Sequence, residues 1–298
     1  MSTLTLVSVD APELVALLAG KRVAVLTGAG ISTDSGIPDY RGPDSPPANP
    51  MTIRQFISSP DYRQRYWARN HLGWKHMARA LPNPGHRALA QLERAGVVTG
   101  IITQNVDLLH TKAGSRNVVD LHGTYARVRC LDCGHTLSRA ELAEELEAMN
   151  PGFSENAERV GSIAVAPDAD AVVTNTAAFR IADCAECGGM LKPDIVYFGE
   201  SVPKDTVAQA SSLVEQSGAL LVAGSSLTVF SGYRFVRQAA ALQKPVAIIN
   251  RGPTRGDDLA QVKIDNGCSP MLALLAGQLD GHQIVGMDDG PTQLCGQF

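Results

Sequence analysis

RVAVLTGAGIS, residues 22–32, is the most informative stretch of this chain for its architecture. Residues 22–27 form an apolar, Val-rich run without polar alternation, the pattern of a strand buried on both faces of a parallel sheet. The run ends in Gly28-Ala29-Gly30, where backbone can approach a phosphate closely and a following helix N-terminus can offer its amides. The match to the G-x-G-x-x-G dinucleotide turn stops there. The third glycine falls on Thr33, and Pro38-Asp39-Tyr40-Arg41 follows where a helix should continue. The acidic residue about 20 positions on, which holds a ribose hydroxyl in dehydrogenases, is absent, because that window reads Ala48-Asn49-Pro50. The loop suits phosphates but not ordinary hydride transfer.

Outward from this strand, further apolar runs at 97–103, 118–122, 219–224 and 245–250 read as parallel strands. Amphipathic helices are predicted at 11–19, 61–80, 84–94, 204–216 and 231–242. The alternation predicts an α/β fold: a Rossmann-like doubly wound parallel sheet that binds ligands beyond the carboxyl ends of its strands. The sheet domain is expected from residues 1–124 and 192–280, with a smaller insertion domain at 125–191 and a second helical part of it within 43–82. Residues 151–180 show no clear apolar period, and a polar, Gly-rich tail is expected over 281–298.

The chain has 298 residues, 44% of them hydrophobic, enough for a substantial core. Its 26 Lys and Arg stand against 30 Asp and Glu, for a net charge of −4 without long runs of one sign. A nucleic-acid partner is therefore not expected. No apolar run reaches the roughly 18 residues of a membrane span, and the first twenty residues lack the features of a secretory or transit signal. A cytoplasmic protein is expected. Nothing in the sequence marks an oligomeric state.

Of the six cysteines, four form two C-x-x-C pairs, Cys130/Cys133 and Cys184/Cys187, each followed by glycine. Two such knuckles supply the four thiolates of a closed, structural zinc site. A redox-active pair or plain reduced thiols are the alternatives. The spacer between the pairs exceeds that of a compact zinc ribbon, so the metal would clamp the insertion onto itself.

Three further motifs lie at predicted strand ends. TQNVDLLH, residues 103–110, gathers polar side chains where this fold binds ligands, although Asn105 and Asp107 would equally well cap the next helix. VDLHGT, residues 119–124, presents His122, either a structural residue or a general base with an ordinary pKa near neutrality. KPDIVYFGE, residues 192–200, reads as an apolar strand, and GSSL, residues 224–227, closes another.

Taken in order, GAGIS, GIPDYRG, TQNVD, HG, the two C-x-x-C pairs, KPDIVYFGE, GSSL and IN at 249–250 resemble the sirtuin family over about residues 10–280. RQRYWARN at 63–70, TKAGSRN at 111–117 and SGYRF at 231–235 are similar to its class II branch. The resemblance implies an NAD-dependent protein-lysine deacetylase or deacylase. Nicotinamide is released, the acyl oxygen of an acyl-lysine protein or peptide captures the ribose, and His122 activates a ribose hydroxyl as general base. Asn105 and Asp107 would be catalytic with it. Ala29, Ile37, Asp39, Tyr40, Arg41, Gln104, Asn105 and Asp107 would line the NAD pocket, with Ile37 and Asp107 against the nicotinamide carboxamide. Gly28, Gly30, Ser32, Gly224, Ser225, Ser226, Asn250, Arg251, Gly252 and Cys268 would hold phosphates, ribose or adenine. The substrate peptide would add as a strand between segments 196–199 and 227–230, and one structural Zn2+ would sit on Cys130, Cys133, Cys184 and Cys187. Tyr40 stands where many members have Phe, and Ser225 replaces a common Thr. Tyr62 and Arg65 match the Tyr-x-x-Arg pair with which a desuccinylase branch holds an acyl carboxylate, so activity on acidic acyl groups is an expectation. Protein mono-ADP-ribosyl transfer and a non-catalytic NAD-sensing zinc module are the alternative functions.

Overall fold

The computed structural model describes residues 11–41, 50–160, 167 and 176–279. The predicted tail at 281–298 lies outside them. In chain order the helices are α1 (Pro12–Leu18), α2 (Ile53–Ser58), α3 (Pro60–Arg79), α4 (Pro84–Arg94), α5 (Leu109–Lys112), α6 (Arg139–Met149), α7 (Phe153–Val160), α8 (Lys204–Gln216), α9 (Phe230–Ala241) and α10 (Cys268–Leu279). The strands are β1 (Val23–Thr27), β2 (Val98–Thr103), β3 (Val118–Asp120), β4 (Gly123–Cys130), β5 (Thr136–Ser138), β6 (Leu191–Ile195), β7 (Ala219–Ala223), β8 (Val246–Ile249) and β9 (Val262–Ile264).

Six strands form a parallel sheet in the order β3-β2-β1-β7-β8-β9. Because successive side chains of a strand point to opposite faces, β1 divides between two cores. Val23 and Val25 pack with α1, α4 and α10, whereas Ala24 and Leu26 pack with α8 and α9. Helices on both faces explain why every residue of β1, β7 and β8 is buried. The chain runs outward in opposite directions from the neighbours β1 and β7, which makes the gap beyond their carboxyl ends the switch point of the fold.

A second, three-stranded antiparallel sheet, β5-β4-β6, spans residues 123–195 and carries the cysteines. It shares a core with α2, α3 and α6 that includes Phe56, Trp67, Tyr125, Leu142 and Phe179. Helices α2 and α3 fall within 43–82. Each start is capped: Thr52 forms a reciprocal capping box with Gln55, and Ser59 precedes Pro60 at the first helical position.

Several elements differ from the sequence reading. The strand of KPDIVYFGE ends at Ile195 and belongs to the small sheet, paired antiparallel with β4. The strand at 118–122 ends at Asp120, leaving His122 in the turn beyond it. Within 151–180, Phe153–Val160 is helical. Strands β5 and β9 and helix α10 carry too short or too uniformly apolar a pattern for periodicity alone to separate them from loop, and the alternation in β4 was missed.

Candidate active site

The site is built at the switch point. After β1 the chain makes two short 3-10 turns, Ala29–Ile31 and Thr33–Ser35, in place of a continuous helix. The first turn locks onto the end of β7: Gly28 N–H donates to the Ala223 carbonyl at 3.2 Å and Gly30 N–H to the Gly224 carbonyl at 2.9 Å. A Cβ on Gly30 would lie 2.9 Å from the Gly224 Cα, so these glycines serve loop-to-loop contact as well as access for a ligand.

The TQNVD segment supplies the next layer. Gln104 extends the β2 ladder through its N–H to the Thr27 carbonyl at 2.9 Å, and its Oε1 accepts from the Ser225 hydroxyl at 2.6 Å. Asn105 Nδ2 donates to the Gly28 carbonyl at 3.0 Å and to Ser32 Oγ at 3.1 Å. Asp107 Oδ2 accepts the Ser32 hydroxyl at 2.6 Å, while Oδ1 accepts the Leu109 amide at 2.9 Å. Asp107 thus anchors the start of α5 and faces the cavity at once. Burial raises its pKa, against the lowering effect of the Ser32 and Leu109 hydrogen bonds.

His122 sits where the turn from β3 enters β4. A Cβ at Gly123, whose φ is +80°, would fall on the Asp194 carbonyl, so only glycine lets β4 start against β6 immediately after the histidine. His122 Nδ1 lies 3.0 Å from the Gln104 carbonyl, an acceptor, which assigns the ring proton to Nδ1. Nε2 is the acceptor and lies 2.7 Å from Ser231 Oγ. Burial lowers the His122 pKa, opposed by the Gln104 carbonyl.

On the far side, Asn250 Nδ2 donates to the Arg251 carbonyl at 2.7 Å and the Gly252 carbonyl at 3.3 Å, shaping the turn after β8. Cys268 opens α10, and burial pushes its thiol up to about 12, so it packs there as a neutral group.

One cavity of about 1220 Å³ joins these parts. Its lining includes the 28–32 turn, the 36–41 loop, Gln104, Asn105, Asp107, His122, segments 224–231 and 250–253, and Cys268. Every residue singled out for NAD and for catalysis therefore faces one space. Segments 196–199 and 227–230, expected to flank a peptide, also line it, with Phe198 and Phe230 exposed at 41% and 46%. Tyr66, Arg234, Asn266 and Gly267 line it as well and escaped the sequence reading. For the last two, the available signal was Asn266-Gly267 just ahead of an apolar run with Pro270 at its start.

Tyr62 and Arg65 do not line the cavity. Arg65 is exposed, with its guanidinium carbon 5.7 Å from the Tyr62 ring centroid, so the pair stacks on itself at the surface. One helical turn places Tyr66 at the cavity wall instead, its hydroxyl 3.2 Å from that of Tyr125 and both within reach of Asn70 Nδ2. The expected carboxylate clamp is thus corrected: Tyr62 and Arg65 share a helix face as predicted, but that face does not line the cavity.

The four cysteines of the small domain have their sulfurs within 4.8 Å of one another and form no disulfide. Cys130 and Cys187 are 3.6 Å apart and Cys133 and Cys184 3.7 Å. Tetrahedral zinc with bonds of about 2.3 Å separates its sulfurs by about 3.8 Å, so the set fits zinc. Gly134 and Gly188 follow the second cysteine of each pair with φ of +76° and +70°, which gives both knuckles their turn.

Comparison with known proteins agrees with this geometry. The model of the Sir2 family matches residues 28–231. The chain is 74% identical over 270 residues to NAD-dependent protein deacetylase 1 of Mycobacterium avium (strain 104), covering 91% of this chain and 96% of that protein. It is 45% identical over 262 residues to the mitochondrial NAD-dependent protein lipoamidase sirtuin-4 of Homo sapiens, covering 86% and 82%. A solved structure described as Sir2-p53 peptide-NAD+ aligns with a TM-score of 0.72 at 30% identity, covering 91% of this chain and 98% of that one.

Proposed function

The chain belongs to the Sir2 family, and from that premise we propose that it is an NAD-dependent protein-lysine deacylase whose active site is the cavity at the switch point. The observation that carries this reading is His122, a half-buried imidazole with its proton directed to a carbonyl and its basic nitrogen on the cavity side. Burial keeps the ring neutral near pH 7, the state a general base needs.

NAD suits the donor set. Backbone turns, the hydroxyls of Ser32, Ser225 and Ser226 and the cations Arg41, Arg234 and Arg251 are what a pyrophosphate between two riboses requires. When bound, NAD supplies a breakable ribose–nicotinamide bond and a hydroxyl that receives the acyl group. Asn105 and Asp107, fixed through Ser32 to the Gly28–Ser32 turn, hold the end of the cavity where Ile37 is buried. His122 takes a proton onto Nε2. The four cysteines would hold zinc as a structural clamp, and none of them lines the cavity.

The wall contributed by Met51, Tyr66, Ile195, Tyr197 and Phe198 is apolar and aromatic, which supports neutral acyl chains over acidic ones. Arg65→Met should leave the ratio of acetyl to succinyl turnover unchanged, and a selective loss on succinyl-lysine peptides would restore the surface pair to the site. The likeness to sirtuin-4 supports placement in the class II branch. The unbridged cysteines support a reducing compartment, the cytoplasm.

The test is incubation with NAD and an acetyl-lysine peptide, followed by mass spectrometry. Release of nicotinamide, free lysine peptide and O-acetyl-ADP-ribose is expected, with His122→Ala at least about a hundredfold slower. ADP-ribose attached to protein, without deacetylated peptide, would favour the transferase reading, and unchanged NAD would sink both.

A further inference from the structure

The SGYRF segment, residues 231–235, marks a branch in the sequence but had no role there. It forms the first turn of α9, and Gly232 sets how close that turn comes to the site: a Cβ there would lie 2.7 Å from Gln104 Nε2. At that approach the Ser231 hydroxyl reaches His122 Nε2 at 2.7 Å, while Gln104, which also contacts the turn, receives Nδ1 through its carbonyl at 3.0 Å. The ring is gripped at both nitrogens by two different elements.

We propose that Ser231 is a positioning residue for the general base: its hydroxyl donates to the one Nε2 lone pair and holds the His122 imidazole in one orientation and tautomer until a substrate hydroxyl takes its place. Both Ser231 and His122 line that cavity, so a substrate hydroxyl entering it can displace the serine hydroxyl from Nε2 with the ring already in place. Without the hydroxyl the ring keeps only the Gln104 contact and can swing about it. The inference rests on the deacylase reading for its consequence in catalysis, but the hydrogen bond can be tested without turnover.

The experiment compares Ser231→Thr with Ser231→Val, two side chains of the same shape that differ in the hydroxyl. The full-length protein is labelled with 15N-histidine, and His122 is assigned among the seven histidines by the signal lost in His122→Ala. In wild type and Ser231→Thr the Nε2 resonance should be that of an unprotonated, hydrogen-bonded nitrogen; in Ser231→Val it should move downfield towards a bare one. In kinetics, Ser231→Val should lower kcat for deacylation about two- to tenfold, the factor attached to one neutral hydrogen bond. KM and nicotinamide exchange, which do not call on His122 as a base, should be unchanged. Coincident Nε2 resonances in the Thr and Val variants would overturn the proposal even in an active enzyme. So would equal losses in exchange and deacylation, the mark of a general structural effect. A wild type that makes no deacylated peptide while the resonances separate as expected would overturn the deacylase reading and leave the hydrogen bond established.

Discussion

Gly30 shows how one residue answers to two demands. In the sequence it is half of a phosphate-loop signature; in the structure its missing side chain also lets the turn after β1 rest on Gly224. Gly30→Ala would push a methyl group against backbone that cannot rotate away, so a loss of about 1–3 kcal/mol is expected, with a raised KM for NAD. Thermal unfolding and NAD titration check this, and unchanged values in both would show that the two loops yield more easily than their contacts suggest. Asp107 teaches the same lesson from the other side. Anchoring a helix and lining a ligand site looked like competing roles in the sequence, yet one carboxylate oxygen accepts the Leu109 amide while the other accepts the Ser32 hydroxyl at the cavity.

At the scale of elements, the zinc knuckles were fully legible because thiolate chemistry, spacing and the trailing glycines all act over a few residues. Strand β6 was read as a strand but assigned to the wrong sheet, because nothing local distinguishes a run buried in a parallel sheet from one buried under an antiparallel hairpin. The zinc should tie β4 and β6 together. Cys184→Ser is expected to abolish bound zinc and to expose the segment between the knuckles to protease, while the parallel sheet stays folded. Zinc analysis and limited proteolysis test this, and retained zinc at full stoichiometry would count against a four-cysteine site. A helical part of the small domain within 43–82 was expected, but the contacts that anchor the domain on α3 were not legible. Arg139 is fully buried, its guanidinium 5.4 Å from the Trp67 ring and 5.2 Å from that of Trp74, with Nη2 donating to Asn70 Oδ1 at 3.1 Å. A charged residue beside a polar helix reads as solvated surface until the partner helix is in place.

At the scale of the whole molecule, four histidines among the described residues have lowered pKa values, His71, His86 and His110 buried and His122 half-buried. Burial is the largest cause in each, and His86, edge to face with His110 at 4.8 Å, is brought down to about 4. A group whose folded pKa lies below its unfolded value contributes stability above the unfolded value and loses it as pH falls through the folded one. For His86 that window runs from 6.5 down to about 4. Asp107 and Asp120 act in the opposite sense, because burial raises both, Asp120 to about 6, and they favour the fold as they take up protons. With four histidines against two carboxyls, the urea midpoint should fall between pH 7 and pH 4.5, and His86→Gln should flatten that fall; parallel curves for variant and wild type would refute the burial account. The sequence by itself determined the alternation of strands and helices, the four-cysteine cluster that fits zinc and the set of loops facing the cavity, because strand periodicity, thiolate spacing and strand-end glycines are local consequences of backbone and side-chain chemistry. Tertiary structure alone decided that Tyr66 and not Arg65 reaches the cavity, that β6 leaves the main sheet, and that Ser231 closes on His122. Each depends on the angle and distance at which two elements distant in sequence pack, and packing is a property of the whole core.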